Sequence, residues 1–411
     1  MTVHSTVSRL ALAAAVAAPI GFTAIGSATA QEPERGQTIF ERPRPDYDPR
    51  GIPLDGFLFL PRMTITEEYD TNVFATNDDE DSDFVTVFRP EITARSRWSR
   101  HSLSFNAYFQ GERYLDFDDE NANDYGFSTD GRLDVTRRDT IGLGAAYIRR
   151  TEGRTDPDQG GGDRNQVDEY VFDASYRHEF NRIAVDLDSE VAFLNFIGDD
   201  LADRDRTEYR FTPRVTYTVS PRLGVFAEPF VTLRDYDNLD DDGSEQDSTT
   251  TGILFGADID LGGILFGEVG AGVFYDTFED DAEEDEFGFA LDGELDWNVT
   301  DLTTVTFQAN SGSEATDVAG ASSLFTLGAG VRVEHELRRN ILLDADVSAQ
   351  FEDFQGSTRE DDVYEAGLGI EYLVNRNFAV FAGYDFFMRS SSVETEDFSK
   401  NVVSVGVRGQ F

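Results

Sequence analysis

The 411-residue chain contains no cysteine. Structural disulfides and a lipid-modified N-terminal cysteine are therefore both excluded. Positive charge is scarce. Against 80 Asp and Glu stand only 34 Lys and Arg, for a formal net charge of −46. Such a surface repels polyanions, so nucleic acid is excluded as a partner. Catalytic chemistry is also thin. Only four histidines exist, His4, His101, His178 and His335. Neither a zinc-protease helix motif, nor a nucleophile elbow, nor a phosphate-binding loop is present. The enzymatic alternative, a hydrolase built on Asp/His pairs, has no motif behind it, and no catalytic residue is assigned. After the first 30 residues no apolar run reaches about 18 residues, so no helix spans a bilayer. That test is blind to β-barrels, whose strands alternate.

What is abundant points the same way. The chain holds 34 Phe, 15 Tyr and 36 Gly against 3 Met, 2 Trp and 12 Pro. This loading suits β-structure with aromatic girdles. Acidity alone would permit a disordered chain, but the aromatic and β-branched content argues against it.

Residues 1–30 read as a secretory signal peptide. Arg9 supplies the positive charge, Leu10 to Ile25 the apolar stretch and Ala28-Thr29-Ala30 the cleavage site. The alternative, a transmembrane anchor, suffers from a short run broken by Pro19 and Gly21. Residues 31–55 are rich in Pro, Arg and Asp and have no periodicity. They are expected to form a periplasmic arm, with a plug or docking arm as the other role.

From Gly56 to Phe411 the chain is a meander of alternating segments. Two kinds of connection take turns. Long acidic ones include Asp78 to Asp83, Asp118-Asp119-Glu120, Asp156 to Asp163, Gly198-Asp199-Asp200, Asp240 to Gly243 and Glu279 to Asp285. Tight ones, often with arginine, include Ser99-Arg100, Arg137-Arg138-Asp139, Pro221-Arg222 and Asn375-Arg376. Outer-membrane barrels have short periplasmic turns and long extracellular loops, so the acidic loops are assigned outside. The expected fold is all-β: one transmembrane antiparallel up-and-down barrel of about 18 strands, with 16 as the alternative. A soluble β-sandwich is the competing fold, but it would not need this loop asymmetry.

The final segment, Val402 to Phe411, alternates and ends on an aromatic residue. Val403, Val405, Val407 and Phe411 share one face, and Ser404, Arg408 and Gln410 the other. Elsewhere Asp186, Asp188 and Glu190, then Asp292, Glu294 and Asp296, then Asp344 and Asp346, interleave with apolar residues. So many charges on one face demand water there. The lumen-lining candidates are Arg89, Glu91, Arg95, Arg97, Tyr108, Arg132, Arg177, Arg210, Arg214 and Arg234 together with those eight acids. The arginines concentrate in the first half and the acids in the second, which would set a transverse field across the pore. Salt bridges that only hold shape are the alternative. Tyr108, Phe226, Phe230, Phe274, Phe381 and Phe387 are also expected inside, as sugar-stacking platforms or as wall packing. No metal site is assigned. Asn238 to Gly243 begins like a calcium loop, but Thr249 stands where the motif needs Glu. Weak Ca²⁺ or Mg²⁺ binding by the acidic loops, or simple solvation, remain open, and no cofactor is expected.

Several motifs resemble the putative β-barrel porin 2 family. They are Arg42 to Leu54 followed by Phe57 to Pro61, then Tyr69-Asp70-Thr71-Asn72-Val73-Phe74 and Arg89-Pro90-Glu91. Arg113-Tyr114, Asn123-Asp124-Tyr125 and Arg149-Arg150-Thr151-Glu152 complete the set. The resemblance implies an outer-membrane barrel associated with exopolysaccharide assembly, and so a conduit for a secreted polysaccharide. It implies outer-membrane lipid and lipopolysaccharide as surroundings and a periplasmic polysaccharide exporter as partner. Ser404, Gly406 and Phe411 also resemble the signal read by the barrel-assembly machinery, with Gly409 standing where a hydrophobic residue is usual. The alternatives are a general or cation-selective diffusion porin, and a structural or adhesive surface barrel using its acidic loops.

Overall fold

A computed structural model describes residues 36–159, 162–198, 201–240, 243–280 and 283–411. The signal-peptide assignment and residues 31–35 of the arm lie outside the described residues. So do Gly160, Gly161, Asp199, Asp200, Asp241, Asp242, Asp281 and Ala282 of the acidic loops.

Eighteen strands form one closed antiparallel barrel. They run as β2 (Phe57–Asp70), β3 (Asp83–Ser96), β4 (Ser102–Tyr114), β5 (Ala122–Asp134), β6 (Asp139–Thr151) and β7 (Gln166–Glu179). Then come β8 (Ile183–Phe196), β9 (Arg206–Ser220), β10 (Leu223–Tyr236), β11 (Ser248–Asp260), β12 (Leu265–Phe278) and β13 (Glu286–Thr300). The last six are β14 (Thr303–Glu314), β15 (Ser323–Arg338), β16 (Ile341–Gln355), β17 (Glu360–Asn375), β18 (Phe378–Ser391) and β19 (Phe398–Gln410). Each strand pairs with its sequence neighbours, and β19 pairs with β2 from Val402↔Asp70 to Gln410↔Arg62. Closure joins the first and last barrel strands, the condition for a sheet to cross lipid.

The arm contributes one strand that its aperiodic sequence conceals. Here β1 (Ile52–Leu54) pairs with Phe57–Phe59 of β2. The turn between them is Asp55-Gly56, both with positive φ, the type that an Asp-Gly pair favours. β19 stops at Gln410, and β1 takes over the edge of β2 just beyond it, where the Phe411 amide donates to the Pro61 carbonyl at 3.2 Å.

The Tyr69–Phe74 motif locks this closure at the long-loop end. Asn72 is fully buried, and its side chain donates to the carbonyls of Thr76 and Ser399. Lys400 of β19 meets Asp70 of β2 at 2.6 Å. The Thr71 amide donates to the Asn401 carbonyl.

Register sorts the side chains. Phe127, Phe172, Phe255, Phe287, Leu368 and Val405 all lie on the outer face, and each is about half exposed or more. Such a belt would be a liability in water and is the requirement in lipid. The opposite face is polar and encloses the lumen, as a barrel of this strand number allows.

Candidate functional site: a charged lumen entered from both ends

Cross-strand register places Arg89, Glu91, Arg95 and Tyr108 on the lumen face of β3 and β4, and Arg132 on that of β5. Arg177, Asp186, Asp188, Glu190, Arg210, Arg214 and Arg234 follow on β7 to β10. Asp292, Glu294 and Asp296 lie there on β13, and Asp344 and Asp346 on β16. Arg97 is a correction. β3 ends at Ser96, so Arg97 is exposed in the tight turn at the rim and does not line the wall.

The charges do not separate cleanly by chain half. Asp186 faces Arg214 and Glu190 faces Arg210 across β8 and β9. Arg177 pairs with Asp186 at 2.9 Å. Arg214 is a hub, 2.7 Å from Asp258, 3.0 Å from Glu268 and 3.3 Å from Glu228. The asymmetry survives beyond that point. From β11 to β17 the lumen wall carries Asp258, Glu268, Asp292, Glu294, Asp296, Asp344, Asp346 and Glu365. Arg214 of β9 meets the first two of these, and Arg332 of β15 adds a cation on the wall itself. It lies 3.7 Å from Asp346.

The inward aromatics behave as wall packing. Tyr108 lies against Gly126, Phe226 against Gly256, Phe230 against Gly252, Phe274 against Gly288 and Phe381 against Gly406. A side chain at any of these glycines would collide with the ring. Phe226, Phe274 and Phe387 are buried. Arg214 stacks 3.5 Å over the Phe226 ring and Arg89 4.3 Å over that of Tyr108. Tyr108, Phe230 and Phe381 are half-buried, so at most these three present part of a ring to the lumen.

Two groups of residues, unforeseen from strand pattern, enter the lumen's ends. At the tight-turn end, residues 36–48 of the arm lie inside the mouth. They run from Phe266 of β12, beside Gly36, to β19, where Gln410 reaches the Tyr47 carbonyl. Ile39 is fully buried against Leu342, Leu373 and Ala379. Burying such a side chain contributes roughly 1.5–3 kcal/mol. Arg44 is buried, pairs with Glu336 at 3.2 Å and donates to the Ile39 carbonyl at 2.7 Å. Arg42 donates to Asn298 and to the Asp301 carbonyl, and the Phe40 amide to Glu334. Arg42 and Arg44 thus sit on the acidic side of the wall.

At the long-loop end the described residues of the β6–β7 connection, 152–159 and 162–165, fold inward. Its Glu152 forms a buried pair with Arg204 of the β8–β9 loop at 2.9 Å. Arg204 stacks on Phe196 and also approaches Asp158 at 3.8 Å and Asp317 of the β14–β15 loop at 3.7 Å. Asp158 accepts from the Thr316 hydroxyl and the Asp317 amide. From the far wall, Arg389 of β18 donates to the Thr155 carbonyl at 2.6 Å. One loop therefore joins both sides of the lumen. The motif Arg149–Glu152 ends in this network, which is the one sequence signal that pointed to it.

Carboxylates crowd the network. Burial first, then Glu152 and Asp158, push the Asp156 carboxyl up to about 7 from its ordinary 3.8, with Arg150 opposing. Burial likewise raises Asp317 to about 6, helped by Asp158, Asp203 and Asp240 and opposed by Arg204. The folded-in loop thus holds protons that a released loop gives up. Closure is strongest at acid pH and weakens as pH climbs from about 4 to about 7. Proteolytic nicking of residues 152–165 in the refolded barrel is expected to be faster at pH 8 than at pH 5. A flat profile, with protease activity normalised, would contradict this assignment.

His178 and His335 stay out of the lumen. His178 meets Asp139 at 2.6 Å, and His335 meets Thr303 at 3.0 Å, both at the tight-turn rim. Among the described residues, Glu245, Asp247 and Glu279 stand close enough to share an ion, the two glutamates exposed and Asp247 half-buried.

The family described as putative β-barrel porin 2 matches residues 44–411. No curated protein matches the chain. Among solved structures, Pseudomonas aeruginosa OpdL is 10% identical, with 87% of this chain and 100% of that chain covered, at a TM-score of 0.45. The outer membrane protein OpdK of the same organism is 9% identical, covering 86% and 99%, at 0.47. Its ferric enterobactin receptor PfeA is 7% identical, covering 86% and 80%, at 0.45.

Proposed function

The chain belongs to the putative β-barrel porin 2 family of outer-membrane barrels, and from that premise we propose that it is a gated conduit passing a polysaccharide outward. One observation carries this reading. The arm is seated in the periplasmic mouth by a fully buried Ile39 and a buried Arg44, with Arg42 and Arg44 on the acidic wall. A permanently open diffusion pore has no need of such a seat. In the proposed cycle a periplasmic exporter displaces the arm and hands the chain on. The wide polar lumen then carries it past the β6–β7 loop. The cargo is neutral or cationic, because the wall from β11 to β17 repels anions.

That same acidic wall favours a second reading, a cation-selective diffusion porin. Both are tested by release from proteoliposomes loaded with a neutral or a polyanionic oligosaccharide of equal size. Protein lacking residues 31–51 is expected to release the neutral sugar and retain the anionic one. The intact protein is expected to retain both. Release of neutral sugar at equal rates from both proteins would sink the conduit reading in favour of the porin.

A further inference from the structure

The barrel wall is unzipped at one place. β12 pairs with β13 up to Asp276↔Glu286, and β14 pairs with β15 up to Glu314↔Leu324. Between β13 and β14 the ladder stops lower, at Leu291↔Ser311. There the Ser311 side chain replaces the backbone, accepting from the Leu291 amide and donating to the Phe289 carbonyl. Other interruptions have a chemical cause and heal. The β3–β4 ladder skips Pro90, the β9–β10 ladder skips Pro213 and Pro229, and both resume. No proline lies at the β13–β14 seam, and pairing does not resume.

The upper end of β14 leans into the lumen instead. Arg234 of β10 donates to the Ser313 carbonyl at 2.8 Å, and Thr316 and Asp317 bind Asp158. Gly312 has open space where a side chain would stand. Phenylalanines fill the breach. Phe325 of β15 lies edge-on to Phe289 of β13 at 5.4 Å and 6.2 Å from Phe274 of β12. Phe274 belongs to a cluster on the lumen side with Phe226, Leu254 and Ala290. On the outer side Phe289 and Phe287 are 44% and 72% exposed. An apolar path therefore runs from the lumen face, through the wall, to the lipid-facing surface in the long-loop half of the barrel.

We propose that the β13–β14 seam is a lateral port that admits the acyl chain of a membrane amphiphile between the outer leaflet and the lumen. The occupant follows from continuity with the lipid surface. Aromatic walls offer water no hydrogen bonds and gain by taking up a flexible apolar chain. A polar headgroup would remain in the aqueous lumen. The port is independent of whether the axial path exports polysaccharide.

The test uses the refolded full-length barrel in vesicles with a single-chain phosphocholine carrying a photoreactive diazirine on its tail. Mass spectrometry maps the adducts. Labelling of Phe226, Leu254 or Phe274 on the lumen side is expected alongside Phe287 and Phe289 outside. Labelling confined to the outer pair overturns the proposal. Continuing the register would set Ala290 opposite Gly312, and the chain has no cysteine of its own. The pair Ala290→Cys with Gly312→Cys, once oxidised, is expected to cut lumen-side labelling about tenfold and to restore it on reduction. Axial conductance should not change. Persistent lumen labelling in the locked barrel also overturns the proposal. Should the bridge not form, Phe274→Gln puts an amide in the path and is expected to produce a similar loss, about tenfold, with outer labelling intact.

Discussion

Deleting residues 31–51 converts a quiet barrel into a steadily conducting one. The deletion spares β1, so the Asp55-Gly56 hairpin still covers the edge of β2 below β19. What is lost is the seat inside the mouth: buried Ile39, the Arg44–Glu336 pair, and the hydrogen bonds of Arg42 and Phe40 to β13, the following turn and β15. None of these supports the ladder, so the barrel should fold and insert as before. Planar-bilayer recordings are expected to show long closures in the intact protein and stable cation-selective openings after deletion. A milder probe is Ile39→Asp, which buries a carboxylate beside Leu342, Leu373 and Ala379 and should unseat the arm without shortening the chain. If intact protein already conducts steadily at the deleted protein's level, the arm is no gate.

Replacing Arg204 by methionine is expected to release the β6–β7 loop. Glu152 is 3% exposed and Arg204 4%, so the substitution leaves a carboxylate buried without its main partner. Breaking such a pair costs roughly 3–5 kcal/mol. Arg150 stands 4.0 Å from Glu152, and Asn165 donates to it at 3.0 Å, which offsets only part. The loop also loses the cation shared with Asp158 and Asp317. Limited proteolysis should then cut within residues 152–165 at pH 5, where the wild type resists. Adding Glu152→Gln removes the stranded charge and should recover much of that resistance. An Arg204→Met loop as resistant as wild type would show that the network does not hold it.

Much of this was legible in the residues because a membrane barrel writes its environment into period two. Lipid on one side and water on the other force strict alternation, so Phe287, Phe289 and Leu291 outside and Asp292, Glu294 and Asp296 inside could be read from order alone. Arg97 failed because alternation says nothing about where a strand stops. The aromatic residues were placed on the correct face, but their exposure depends on which glycine or arginine lies across the ladder, and register is a tertiary fact. The arm was read as aperiodic, which is true of it. A plug was one of the two roles its sequence left open, but the seating contacts were not legible, because Ile39 and Arg44 find their partners some 300 residues away in the folded wall.

By itself, then, the sequence determined the membrane barrel, its facing and the sign of much of its lumen, and narrowed its strand number to 18 or 16. Each of these follows from local alternation and composition under the pressure of two solvents. Only the tertiary structure decided how the lumen is occupied: the arm in one mouth, the inward loop in the other and the seam between β13 and β14. Those features rest on contacts between distant segments, where burial and charge pairing compete without any periodic trace.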